Sequence, residues 1–170
     1  MNIKRSGLIL GLTALVLALA CQKESQGNTD LRIRLTDNPF NATEVNVDIQ
    51  EVRVNFRDDS SGWTSLGTVS GIYNLLGLQN GVDTLLAQGQ VTTGVLKEIR
   101  FVLGSNNTIV IDSVIYPLTI PSGSESGLKI KVNKQLHAGL DSLLIDFDAA
   151  LSIIQTGNGE YKLKPVLKIK

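Results

Sequence analysis

At 170 residues the chain is long enough for one domain with a sizeable core and too short for several. Its 16 basic and 16 acidic side chains cancel, so no excess positive charge points to nucleic acid as a partner. One cysteine excludes an internal disulfide and a cysteine-based zinc cluster.

Taken in chain order, the first element is an export signal. Lys4 and Arg5 make a positive start, and Gly7 to Leu19 form a nearly unbroken apolar run. That run has the length of a signal-peptide core and falls short of the roughly 20 residues of a membrane span. Ala18 and Ala20 are small residues ahead of Cys21. Two readings compete. Ala18-Leu19-Ala20 satisfies an ordinary cleavage rule and would release a secreted protein. Cleavage just before the sole cysteine, followed by acylation of its thiol, is the favoured one. The stretch resembles a bacterial lipoprotein signal. Two or three acyl chains at about 0.8 kcal/mol per buried CH2 make a firm anchor. Gln22-Lys23-Glu24 resembles the tag that carries lipoproteins of the Bacteroidota to the outer cell surface. Residues 1–20 are thus read as a lipoprotein signal peptide, 21–29 as the lipidated N-terminus and tether, and 30–170 as the folded domain. The expected location is the outer membrane, facing the cell surface, with the periplasmic face as the alternative. Losing Lys4 and Arg5 leaves 14 basic against 16 acidic groups, a net −2.

Past the tether the apolar spacing is two, the period of a strand. Leu31, Ile33 and Leu35 alternate with polar residues until Asn38-Pro39 stops the run. In "EVNVDIQEVRVNF", Val45, Val47 and Ile49 share one parity, and Val52, Val54 and Phe56 the other. A bulge at Gln50-Glu51 would keep both sets inside; two short strands at a corner are the alternative. "RDDSSG" reads as a hairpin loop ahead of Trp63 and Leu66. "IYNLLGLQNGVDTLLAQG" is the one stretch with helical character, and within it Asp83 to Gln88 could make a turn or two ended by Gly89. Strands resume at Val95 to Leu103. "TIVIDSVIYPLTIP" reads as a hairpin turning at Asp112-Ser113. "LKIKV" alternates, as do Leu143, Ile145 and Phe147, and then "YKLKPVLKIK" after a turn at Gly157-Asn158-Gly159. Pro165 needs a place with no ladder donor, at an edge or a bulge. The expected fold is all-β: a single two-sheet β-sandwich of eight or nine strands with one short helical turn. A closed barrel is the alternative.

"LTDNP", "VNVDIQEVRV", "YNLLGLQNG", "TIPSGSESGLKI", "DFDAALSI" and "YKLKPVLK" occur in this order. Together they resemble a bacterial and archaeal family of predicted lipoproteins, domain of unknown function four-three-eight-two. The resemblance implies an extracytoplasmic all-β domain like the carbohydrate-binding or transthyretin-like sandwiches. It implies no activity and carries over no functional residue.

Candidate chemistry is sparse. His137, the only histidine, reads as an exposed loop residue. "GSESG" at 123–127 places Glu125 where a hydrolase needs its serine. Asp146 and Asp148 are the best carboxylate pair: two apart on a strand, they share a face about 7 Å apart. With Asp37 or Asp48 they offer oxygens to calcium, the one cofactor the sequence suggests; loop capping and lysine pairing are the structural reading. Lys129 and Lys131, with Lys162, Lys164, Lys168 and Lys170, make a basic stripe if their strands share a sheet. Such a stripe attracts acidic glycans or a membrane surface, or simply protects an edge. Trp63 and Tyr73 are candidate sugar platforms, with core filling as the alternative for the tryptophan.

The expectation is a lipid-anchored, non-catalytic binding module for a glycan or a surface protein, with no nucleic-acid partner. The alternative is a pilin-like subunit that assembles by donating its C-terminal strand to a neighbour.

Overall fold

A computed structural model describes residues 27–38, 42–59, 61–121 and 127–170. The expected signal peptide, Cys21, the expected tether up to residue 26 and most of "GSESG" lie outside the described residues. Among the described residues fourteen strands account for most of the domain. They are β1 (Asn28–Thr36), β2 (Glu44–Asn55), β3 (Thr64–Ser65), β4 (Gly67–Thr68), β5 (Gly71–Asn74), β6 (Thr84–Thr92) and β7 (Gly94–Leu103), followed by β8 (Thr108–Ile111), β9 (Val114–Thr119), β10 (Leu128–Leu136), β11 (Gly139–Phe147), β12 (Ile153–Gln155), β13 (Tyr161–Leu163) and β14 (Leu167–Ile169). The count exceeds the eight or nine expected because several are pieces of two to four residues that periodicity cannot resolve.

The strands form two sheets. One runs β14-β11-β1-β6-β4; the other runs β10-β7-β2-β8-β9-β13-β12, with β3 and β5 also on β2. Neither closes into a barrel. Leu31, Ile33 and Leu35 of β1 face the interior at 0% exposure, opposite Val45, Val47, Ile49, Val52 and Val54 of β2. Phe101 of β7 and Phe147 of β11 are the largest side chains fully enclosed between them. The two sheets therefore share one core, as a β-sandwich requires.

The parity change in β2 has the predicted cause. Ile49 pairs with Leu103 and Glu51 with Val102, so Gln50 is an extra residue with no partner on β7. The bulge turns Val52 and Val54 back to the side already used by Val45, Val47 and Ile49. The β8–β9 hairpin also turns where expected, with φ of 48° at Asp112 and 66° at Ser113, the mirror-image turn that suits strand twist.

Two expectations are corrected. Asp83–Gln88 is not helical: Thr84–Thr92 is β6, paired antiparallel along β1. A six-residue helix is marginal alone, whereas β1 offers an edge to pair with. Among the described residues the helical turns are a 3-10 turn at Leu75–Leu78, in the first half of that same stretch and capped by Asn74, and α1 (Ala149–Ser152), capped by Asp148. The C-terminal run is not one strand either. Its two halves, β13 and β14, belong to different sheets, and Pro165 lies in the crossing between them. A residue with no N–H is tolerated where no ladder bond is made. The lysines of β10 and β13 share a sheet but stand on strands separated by β7, β2, β8 and β9, and those of β14 belong to the other sheet, so the three sets do not form one stripe.

Candidate functional site

The carboxylates are gathered by an unusual pairing. β1 runs parallel to β11, with Thr36 opposite Asp146, so "TDN" at the end of one strand lies beside "DFD" at the end of the other. Asp37, Asp146 and Asp148 are all buried there, at 2%, 1% and 4% exposure. Asp37 Oδ1 accepts from the Ala149 N–H at 2.9 Å, and Oδ2 from Gln79 Nε2 at 3.3 Å. Asn38 Nδ2 donates to Asp146 Oδ2 at 2.7 Å and to Asp148 Oδ2 at 3.4 Å. Lys168 Nζ reaches Asp148 Oδ2 at 2.7 Å, and Lys170 Nζ reaches Asp146 Oδ2 at 3.2 Å. Asp148 Oδ1 caps α1 through the Leu151 N–H at 3.0 Å.

Burial dominates the titration of Asp37 and raises its carboxyl above the ordinary value, with the Ala149 N–H and Gln79 opposing it and Asp146 adding to it. For Asp148 burial is again the largest influence and pushes upward. The Lys168 ammonium, the Leu151 N–H and Asn38 together outweigh it and hold the carboxyl below its ordinary value.

Among the described residues no group of three or more His, Cys, Asp or Glu side chains is arranged to hold a metal ion. Three of the four oxygens of Asp146 and Asp148 already have protein donors, and Asp146 Oδ1 is left unpaired. Asp48, the other candidate oxygen, lies in the opposite sheet. It accepts from Gln50 and from the Asn106 N–H at 3.2 Å, organising the loop after β7. The cluster fastens the ends of β1, β11 and β14 together; it is a structural knot of charge.

The aromatic candidates are placed apart. Trp63 is half-buried beneath Arg100, whose guanidinium carbon lies 4.1 Å from the ring centroid, with Lys129 Nζ at 5.7 Å. Tyr73 on β5 is half-buried, with its hydroxyl donating to the Val69 carbonyl and its titration pushed up by burial. His137 is exposed, and its backbone carbonyl accepts from Thr29 Oγ1 at 2.6 Å.

A concave feature lies where sequence reasoning did not point. Tyr116 of β9 and Tyr161 of β13 stack with centroids 5.1 Å apart and planes tilted by 58°. They line a cleft of about 230 Å³ with Pro117, Thr119 and the Asn158–Glu160 turn. Parallel pairing of β13 with β9, Tyr161 opposite Leu118, brings the two rings together. The available signal was parity: each tyrosine stands two residues before a buried leucine, Leu118 or Leu163, and so leans over the rim of the core.

The fold and these sites have a family context. The profile described as Domain of unknown function (DUF4382) matches residues 28–165. The chain belongs to the DUF4382 family. No curated protein and no solved structure matches it. The DUF4382 match starts with β1 and ends at Pro165, so it takes in the bulged β2, the carboxylate cluster and the tyrosine cleft, and leaves out β14.

Proposed function

We propose that this DUF4382 chain is a non-catalytic binding module, lipid-anchored to the outer membrane through Cys21, whose Tyr116–Tyr161 cleft takes a sugar ring. The observation that carries the reading is the cleft. Aromatic rings offer flat apolar area at low entropic cost. Around them the Asn158 amide, the Glu160 carboxylate and the Thr119 hydroxyl supply the few polar groups that orient a ligand. The volume is below the roughly 300–1,000 Å³ of sites for drug-sized molecules and suits a single ring with its neighbours outside.

The position supports the same reading. The chain enters the domain at Gly27, whose carbonyl accepts from the Thr93 N–H at 2.9 Å beside the β6–β7 turn. β8 pairs with Glu44–Asn46, the opposite end of β2 from Asn55, and β9 follows β8. Nine residues of strand separate Asn46 from Asn55, about 30 Å at roughly 3.3 Å per residue. A tether at residue 27 would hold the cleft away from the membrane. The strand-donating alternative is less supported, because Leu167–Ile169 is already paired with Ile145–Phe147 of its own sheet.

Two results are expected. On an array of neutral and acidic glycans the protein binds saturably, and Tyr161→Ala weakens that binding by about tenfold. An array blank for the wild type, or binding indifferent to Tyr161→Ala, would remove the cleft from the function. In fractionated cells Cys21→Ser moves the protein from the membrane pellet to the soluble fraction; retention in the pellet would show that no acyl anchor holds it.

A further inference from the structure

A second surface of the same sheet is built differently. β3, β2, β7 and β10 are neighbours, and their register places Ser65 opposite Arg53, Arg53 opposite Arg100, and Arg100 opposite Lys129. Three cations therefore stand side by side on adjacent strands roughly 4.8 Å apart, an arrangement that costs stability because like charges directly opposite repel. One carboxylate serves them: Glu51, bonded to Arg53 and to the Ser65 hydroxyl. Among the described residues no carboxylate lies within 4.0 Å of the Arg100 or Lys129 charge. What holds Arg100 is the face of Trp63, a cation–π contact that fixes a guanidinium without neutralising it.

The polar accounting points the same way. Arg53 Nε, Arg100 Nε and Trp63 Nε1 are buried N–H groups with no acceptor among the described residues. Most buried donors in folded proteins are paired, so the protein leaves this one row undersupplied with acceptors. The excess continues one row on. About 7 Å along the strands, Glu98 faces Lys131, beside a cavity of about 150 Å³ also lined by Arg57, Asp58 and Lys97. With Glu51 and the lining of that cavity, where Lys97 pairs with Asp58 at 3.1 Å, the surface carries six cations and three carboxylates, on a domain that is net acidic once residues 1–20 are removed.

We propose that this surface is a binding site for a linear acidic polysaccharide, its carboxylate or sulfate groups engaging Arg100, Lys129 and Arg53. Guanidinium groups match planar oxyanions in bidentate fashion, and cations repeated along strands match a polymer with repeated anions. A membrane surface fits less well. Arg100 lies six residues along β7 from Gly94, which adjoins the point of chain entry, or about 20 Å; the row is on the broad face of the sheet rather than at that end. The inference uses none of the residues of the tyrosine cleft and stands apart from it.

The test is titration calorimetry on the full-length protein in non-ionic detergent, with oligogalacturonate and with a heparin-derived sulfated oligosaccharide as probes. Arg100→Gln should weaken binding to one or both by about tenfold or more. Lys129→Gln, at an exposed position where folding is not at risk, should weaken it a few-fold, and each variant should flatten the dependence on salt. Arg32→Gln, on the exposed side of β1 in the other sheet, should leave binding unchanged, as should Tyr161→Ala. Affinity that survives both Arg100→Gln and Lys129→Gln overturns the proposal. So does an equal loss in Arg32→Gln, which would mean diffuse attraction, and so do anionic phospholipid vesicles that bind as tightly as the polysaccharides and displace them.

Discussion

Val52→Asp is expected to leave no stable fold. Val52 is fully buried on β2. The change loses the about 1.5–3 kcal/mol of a buried aliphatic side chain and adds the larger cost of an unpaired buried charge. Whole domains of this kind are stable by about 5–15 kcal/mol, and β2 is also the strand on which β3, β5, β7 and β8 assemble. Deletion of Gln50 is a different matter. It removes the extra residue and brings Val52 and Val54 onto the parity of Val45, Val47 and Ile49, so a regular strand keeps all five inside and the variant should fold. Gln50→Ala keeps the bulge and loses only an exposed side chain that bonds Asp48, with an expected cost near or below about 1 kcal/mol. Chemical denaturation followed by near-ultraviolet circular dichroism separates the three. A Val52→Asp variant as stable as the wild type would show that this face of β2 is not core.

The next largest effect is expected from Asp148→Ala. The change strips the cap from α1, where loss of an aspartate typically costs about 0.5–2 kcal/mol, and leaves the Leu151 N–H and Lys168 without their acceptor. Lys168 is half exposed, so its pairing adds little once screened by water. The turn itself matters more, since Ser152 Oγ donates to the Asp148 carbonyl at 2.6 Å and accepts from the Val166 N–H at 2.8 Å, tying β11 to the approach of β14. A total of about 2 kcal/mol is expected, or roughly 5–10 °C in the unfolding midpoint. The pH dependence has a definite sign. Asp148 titrates below its ordinary 3.8 in the fold, so its contribution is complete above that value and is lost as pH falls through the folded one. Asp37 is the opposite case: raised by burial, it favours the fold when protonated, below 3.8, and that advantage disappears as pH rises through its folded value. Thermal melts across the acidic range should thus show the Asp148→Ala deficit shrinking toward low pH. Asp37→Asn, which keeps an oxygen for the Ala149 N–H and removes a desolvated charge, should be at least as stable as wild type at neutral pH. A constant Asp148→Ala deficit at every pH would mean that the cap geometry, and not the charge, carries the effect.

Strand identity was legible in the sequence because a pleated strand half buried in a sandwich writes its faces into alternate positions. The β2 bulge was legible for the same reason, as a break in parity between Ile49 and Val52. Partners were not. Alternation says which side of β1 is dry and nothing about whether β6 or β11 lies next to it, so the meeting of Asp37 with Asp146 and Asp148 was visible only as a loose grouping that also admitted Asp48. The final run, Tyr161 to Lys170, alternates well enough to pass for one strand, although its halves serve different sheets. Asp83–Gln88 misled because local helical preference is weak and a vacant neighbour on β1 decides the matter. Tyr116 and Tyr161 are 45 positions apart and meet through a parallel pairing that no local pattern records. Trp63 stood out as the only tryptophan; the cations above it came from strands whose order was unknown.

The parallel pairing of β1 with β11 also governs when the domain can fold. Thr29 meets Gly139 and Thr36 meets Asp146, so each rung closes the chain over 110 residues. β1 is the middle strand of its sheet, and that sheet is incomplete until the last quarter of the polypeptide has been made. Contacts between such distant segments form slowly. A chain whose first strand waits for nearly its last stays open until most of it has been made, and for that time its apolar strand faces are exposed to other chains.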